Sequence, residues 1–210
     1  MTREELQSWL EHSDQMHLLR RAENHALEQL RRVESIRKSG DVVSHPATPL
    51  AALKYQLISF RSSIDEGYEM WMLTNGSILS GFAAFEYALG SFSWLVGLVA
   101  PGNGFVPRFV DVSQKLKSHE LYKTFALSDA WNRIECQQKV RHVIAHRGFV
   151  FDMNDDVLRH NLQSVGRYSV QPLYSDESQF CYVTFSGEAI RELFHGFQSA
   201  MQKIVAIAGE

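Results

Sequence analysis

The chain has 210 residues, 45% of them hydrophobic and 21% charged, which suits one globular domain and excludes a disordered or fibrous chain. A formal charge of −3 excludes binding to nucleic acid through a general basic excess, so any RNA contact must be local. Cys136 and Cys181 are too few for a disulfide framework and form no metal-type pair, and Met1-Thr2-Arg3-Glu4-Glu5 leads into no apolar run, so a cytoplasmic protein without an export signal is expected.

Thr2 with Glu5 makes a capping-box pattern, and no Pro or Gly interrupts the chain from there to about Lys38, so one long N-terminal helix is predicted. Leu6, Leu10, Met16, Leu19, Leu27 and Leu30 supply its apolar face, and the arginines Arg20, Arg21, Arg31, Arg32 and Arg37 are expected on solvated faces. Gly40 to Pro49 is a turn-rich break, after which helical pattern resumes near Leu50 and continues through Leu53, Leu57, Ile58 and Phe60.

The most apolar segment runs from Ile78 to Ala100 and is long enough to span a bilayer. Glu86 near its middle would cost about 3 kcal/mol there, and Gly81, Ala83, Ala84, Gly90 and Gly97 suit close helix packing. A central buried helix, not a membrane span, is therefore predicted. Pro101 to Gly104 closes it, and Pro107 keeps the chain irregular until a short helical piece near Ser118 to Phe125.

A further helix starts at Ser128 or Asp129, carries Trp131, Ile134, Val140, Val143 and Ile144, and stops at Gly148. Phe149 to Phe185 holds Gly166, Pro172 and the alternating run Gln179 to Phe185, which reads as a loop with a small hairpin. Ser186 caps a last helix through Ile190, Leu193, Phe194, Phe197, Met201, Ile204 and Ile207. The sum is a single, mainly all-α domain over residues 1–210. It is a bundle of four to five helices with a long N-terminal helix and a small β-containing insertion, about 149–185, before the last helix.

The segment Val140-Arg141-His142-Val143-Ile144-Ala145-His146-Arg147-Gly148 carries the chemistry. Arg141 and His146 stand at Arg-x4-His spacing, with a polar second residue, an apolar Val143-Ile144-Ala145 to anchor the turn, and Gly148 to end the helix. Arg20 and His25 have the same spacing but lie inside an uninterrupted charged helix. On an ideal helix His142 and His146 project within about 40° of each other, whereas Arg141 is about 140° from His146. Convergence therefore needs the Arg141 side chain to swing round, or the last turn to unwind.

A structural reading of these residues pairs Arg141 with a carboxylate and leaves both histidines on a polar face. His142 and His146 at i, i+4 lack the His-Glu-x-x-His form and a completing Cys pair, so no metal is expected. Glu86 must find a partner or stay protonated. It is expected to brace Arg141 or His142 from a neighbouring helix, or else to make an inter-helix salt bridge or lie partly exposed. Tyr168, Tyr174 and Tyr182 stack on bases of a single strand or pack the hairpin.

The same segment resembles the signature of HEPN domains, in which Arg, a polar residue and a short apolar stretch lead to His. The resemblance implies a helical bundle that dimerises so that two motifs share one cleft. It also implies a metal-independent endoribonuclease of toxin or antiphage-defence kind, without cofactor, cutting tRNA or mRNA. An antitoxin such as a nucleotidyltransferase-like protein is the implied partner. In that setting His146 transfers protons, Arg141 holds the phosphate through its planar fork, and His142 orients or assists. The products expected are a 2′,3′-cyclic phosphate and a 5′-hydroxyl. The alternative within the same resemblance is a non-catalytic HEPN module that binds RNA, a nucleotide or a protein partner.

Overall fold

The capping box at Thr2 forms: its Oγ1 accepts from the Glu5 N–H at 3.2 Å while the Glu5 carboxylate accepts from the Thr2 N–H at 2.7 Å, opening α1 (Arg3–His12). These contacts come from a computed structural model that describes residues 1–39, 68–100, 106–147, 150–172 and 178–210. The single long N-terminal helix is not what forms. At Ser13 the backbone turns extended (φ −68°, ψ 146°), and α2 (Asp14–Ser39) starts afresh with Ser13 Oγ accepting from Met16 N–H at 3.3 Å. Arg20 then closes α1 from outside, its guanidinium donating to the carbonyls of Leu10 at 3.1 Å and Glu11 at 2.8 Å. Serine and arginine side chains, not a Pro or Gly, make the break. It lets α1, which buries Leu6 and Leu10, pack on the last helix while α2, which buries Met16, Leu19, Ala26 and Leu30, packs mainly on the central one.

The break at Gly40 to Pro49 and the helical pattern expected from Leu50 to Phe60 lie outside the described residues. The central helix, α3, spans Tyr68–Leu95 and buries Ile78, Phe82, Phe85, Leu89 and Phe92. It ends before the predicted Ala100, where the Leu98 N–H returns to the Ser93 carbonyl at 2.8 Å and Gly97 takes φ 71°. Among the described residues no helix is long and apolar enough to cross a membrane.

The stretch after Pro107 is not irregular. α4 (Phe109–Ser118) begins two residues later, and a single turn, α5 (Lys123–Ala126), follows it. The predicted helical piece near Ser118 to Phe125 is half helical: it takes in the end of α4 at Ser118 and most of α5, with a turn between them and the longer helix on its N-terminal side. α6 (Asp129–His146) starts as expected, with Ser128 Oγ accepting from Trp131 N–H at 3.4 Å. The Trp131 ring is fully buried and its Nε1–H donates to Ser113 Oγ at 3.0 Å. Ser113 in turn donates to Glu135 Oε1 at 2.6 Å, so one polar chain ties α4 to α6.

The insertion is more ordered than a loop with a hairpin. It comprises β1 (Val150–Asp152), α7 (Asp156–Val165), β2 (Tyr168–Pro172) and β3 (Phe180–Phe185). The strands form an antiparallel sheet of order β1-β3-β2, with Phe151 opposite Cys181 and Val170 opposite Val183. β2 and β3 are the predicted hairpin. α7 went unpredicted although Asp155 caps it, accepting from Leu158 N–H at 2.9 Å, and Leu158, Leu162 and Val165 repeat at helical spacing. Gly166, Pro172 and the density of Asp made the segment read as irregular.

The last helix, α8 (Gly187–Ala208), is capped by Ser186 as predicted, its Oγ accepting from Ala189 N–H at 3.1 Å. Ile190, Leu193, Phe194, Phe197, Met201 and Ile204 are buried along it. The core is aromatic where α3 meets α8: Phe85 and Phe197 stack at 4.6 Å with planes 10° apart, and Phe82 meets Phe197 edge-on at 5.5 Å. Asn75 Nδ2 donates to the Val183 carbonyl and Thr74 Oγ1 accepts from Phe185 N–H, so α3 also holds β3. The fold is mainly helical with a small three-stranded sheet.

Candidate functional site

Val140 and Ile144 are buried and fix the last turns of α6 against the core, which turns His142, Ala145, His146 and Arg147 outward. The helix does not unwind before its end. It holds helical form to His146, and the Arg147 N–H donates to the Val143 carbonyl at 2.9 Å. Gly148, the expected stop, lies outside the described residues; Arg147 occupies the cap position with φ −109° and ψ 14°.

Intact winding brings His142 and His146 together. Their ring centroids are 4.4 Å apart with planes tilted by 46°, and both residues are exposed. Arg141 is on another face and half-buried. It follows Gln137 by one turn, roughly 40° round the helix, and Gln137 Nε2 donates to the Ser164 carbonyl of α7 at 2.9 Å. Arg141 therefore lies towards the α7 side. Its Nε is buried without a hydrogen-bond partner, and its guanidinium makes no ion pair, among the described residues.

Glu86 does not brace this site. It is half-buried on α3, and its Oε1 accepts from the Phe109 N–H at 2.9 Å, capping α4. A helix N-terminus offers unpaired N–H groups and partial positive charge, which is the partner that a carboxylate in an apolar helix needs. The neighbouring Arg108 guanidinium is held above its ordinary value chiefly by its hydrogen bond to Asp111, then by that carboxylate's charge, with a smaller contribution from Glu86. The apolar surroundings of Glu86 were legible, but its partner was not, because Pro107 disguised the start of α4.

Tyr168 is half-buried and packs on Phe185, with centroids 6.1 Å apart. Tyr182 is half-buried on β3 between Val150 and Gln171, and Tyr174 lies outside the described residues. Cys136 and Cys181 are both buried, and burial first, then the charge of Asp152, pushes the Cys181 thiol up. Among the described residues no three His, Cys, Asp or Glu side chains gather as a metal site.

A concavity was missed by sequence reasoning. A cavity of about 850 Å³ opens between α5, α6 and α8, bordered by Phe125, Ile134, Gln137, His195, Gly196 and Lys203, whereas His142 and His146 do not line it. Only packing of distant segments creates it, so no local pattern announces it.

This geometry defines a mainly helical protein with an exposed histidine pair and, on another face of the same helix, an arginine without a partner among the described residues. Comparison with protein-family models, with curated proteins and with solved structures finds no match to the chain.

Proposed function

We propose that the chain is a metal-independent endoribonuclease of the HEPN kind, with a toxin or defence role, acting as a homodimer on tRNA or mRNA and restrained by an antitoxin. The carrying observation is that half-buried Arg141 has no carboxylate or hydrogen-bond partner among the described residues, while the next residue and the fifth beyond it on the same helix are exposed histidines whose rings lie together. An arginine serving only to finish a helix is usually paired, because an unsatisfied buried donor is costly. An unpaired one suits a site that awaits an anion.

In the reaction, the ribose 2′-oxygen attacks the phosphorus as its proton passes to an imidazole, the phosphorus–5′-oxygen bond breaks, and the departing oxygen takes a proton. His146 is the proton-transfer residue, and His142 orients it or serves the second transfer. Arg141 neutralises the phosphate through its planar donors. Because α6 keeps its winding to His146, the motif's Arg and His stay on different faces of one helix, roughly 140° apart. A second copy across a twofold axis supplies the complement.

Purified wild type, Arg141→Ala and His146→Ala, incubated with total RNA in the presence of a chelator, test this. Wild type is expected to leave 2′,3′-cyclic phosphate ends, and each variant to lose at least about 100-fold in rate with an unchanged circular-dichroism spectrum and melting temperature. Cleavage that persists in both folded variants, or wild type that cuts no RNA and does not slow growth, refutes it.

A further inference from the structure

Of the nine histidines in the chain, only His142 and His146 stand four residues apart. α6 keeps its winding through both, and the Arg147 N–H on the Val143 carbonyl holds the last turn, so the pair is fixed on one exposed face. Neither imidazole makes a hydrogen bond or an ion pair among the described residues, and each ring meets the other. Two imidazoles one turn apart are an arrangement by which a helix face takes hold of a metal ion.

The distance between the rings fits a shared ion. A metal ion lies about 2.0–2.1 Å from an imidazole nitrogen and hence roughly 3.2 Å from the ring centroid, so two rings at a right angle about it have centroids about 4.5 Å apart. The observed separation is 4.4 Å. Opening to the tetrahedral angle needs about 5.2 Å, a small rotation for two exposed side chains.

Charge and chemistry narrow the ion. The C-terminal end of α6 places partial negative charge under the pair, whereas exposed Lys139 and Arg147 oppose a cation. With so little net attraction, the site favours an ion that bonds to imidazole nitrogen over a hard, oxygen-seeking ion such as Mg²⁺. No third His, Cys, Asp or Glu side chain gathers with the pair among the described residues, so water fills the remaining positions and the ion exchanges.

We infer that His142 and His146 form a two-imidazole chelate for a divalent late transition-metal ion, Cu²⁺ ahead of Ni²⁺ and Zn²⁺, and that an occupied pair halts RNA cleavage. The order is that of nitrogen ligands for these ions. The chelate stands on the ring geometry alone. The effect on cleavage rests on the RNA reading: an imidazole lone pair bonded to a metal ion cannot accept the 2′-hydroxyl proton. The reaction itself needs no metal, so the ion acts as an inhibitor.

Ni²⁺ is the probe, titrated by calorimetry into the whole chain without RNA. One ion per chain is expected to bind, and Mg²⁺ is expected not to. His142→Ala and His146→Ala are each expected to weaken Ni²⁺ binding at least about 10-fold with an unchanged melting temperature, since both residues are exposed. His160→Ala, at a single exposed histidine, is expected to bind as wild type does. Absence of binding by wild type, full affinity in either histidine variant of the pair, or equal binding of Mg²⁺ overturns the chelate. Should an alanine variant melt early, the glutamine variant at that position decides. In the cleavage assay, saturating Ni²⁺ is expected to slow wild type at least about 10-fold, and excess chelator to restore the rate. Undiminished cleavage at saturation overturns the inhibition. A wild type that binds Ni²⁺ through the pair yet cuts no RNA upholds the chelate, and the inhibition falls with the RNA reading.

Discussion

Glu86 Oε1 accepts a hydrogen bond from the Phe109 N–H at 2.9 Å, so a carboxylate within the most apolar helix closes the first turn of the next one. Gly90 lets the chain approach closely enough for this. A Cβ there would lie 2.6 Å from the Pro107 carbonyl oxygen and still closer to the Val106 side chain. The corner between α3 and α4 rests on both residues, one supplying the acceptor and the other the space.

Removing the acceptor at this corner should therefore cost stability. Glu86→Ala is expected to lose about 1–2 kcal/mol by urea unfolding at neutral pH. Glu86→Gln keeps an oxygen for Phe109 N–H and should lose less than half of that. Equal losses in the two variants would show that the charge, not the hydrogen bond, matters.

Arg141→Met separates function from stability. Methionine retains the apolar stem and removes a buried Nε donor that has no partner among the described residues, so stability should hold or rise by up to about 1 kcal/mol while RNA cleavage is lost. A structural arginine behaves in the opposite way: a drop of more than about 2 kcal/mol in chemical denaturation would mark it as one.

Adding one methyl group should have opposite signs at two glycines. At Gly81 a new Cβ lies 2.7 Å from the ring of buried Phe194, so Gly81→Ala is expected to destabilise by about 1–3 kcal/mol. At Gly196 the same atom meets nothing within 4 Å, and Gly196→Ala should stabilise α8 by about 0.5–1 kcal/mol. Thermal melts of the two variants give the comparison, and a shift in the same direction for both contradicts it.

Tyr122 supplies a pH dependence. Burial holds its phenol above the ordinary value of 10.0, so the fold favours the neutral form. That contribution is whole below about pH 10, where the unfolded chain's tyrosine is also neutral, and is lost as pH climbs from there through the higher folded value. Wild type and Tyr122→Phe should keep a constant stability difference up to about pH 10, with wild type losing ground above it. A difference that stays flat to pH 11 contradicts the shift.

The starts of α1, α6 and α8 were legible because cap and capped group are close in the chain. Thr2, Ser128 and Ser186 each hold an N–H three residues on, and the alternation from Gln179 to Phe185 marks a strand within its own length. The joint at Ser13 was not legible, since Arg20 closes it by reaching back to Leu10 and Glu11. Nor was α7, whose buried Leu158, Leu162 and Val165 need α6 and α8 as a surface to pack on. Of the candidate site, the approach of His142 and His146 follows from helical spacing, whereas the lack of a partner for Arg141 among the described residues depends on every neighbouring element.

By itself, then, the amino-acid order determined the helical class, the capped ends, the hairpin and the common face of the two histidines, because each depends on residues a few positions apart. Tertiary structure decided where Glu86 finds its partner, 23 residues along the chain, and that Arg133 meets Glu192, 59 residues along. It also opened a cavity between α6 and α8. Those outcomes depend on which surfaces meet when the helices pack, and burial turns each meeting into a paired or unpaired group.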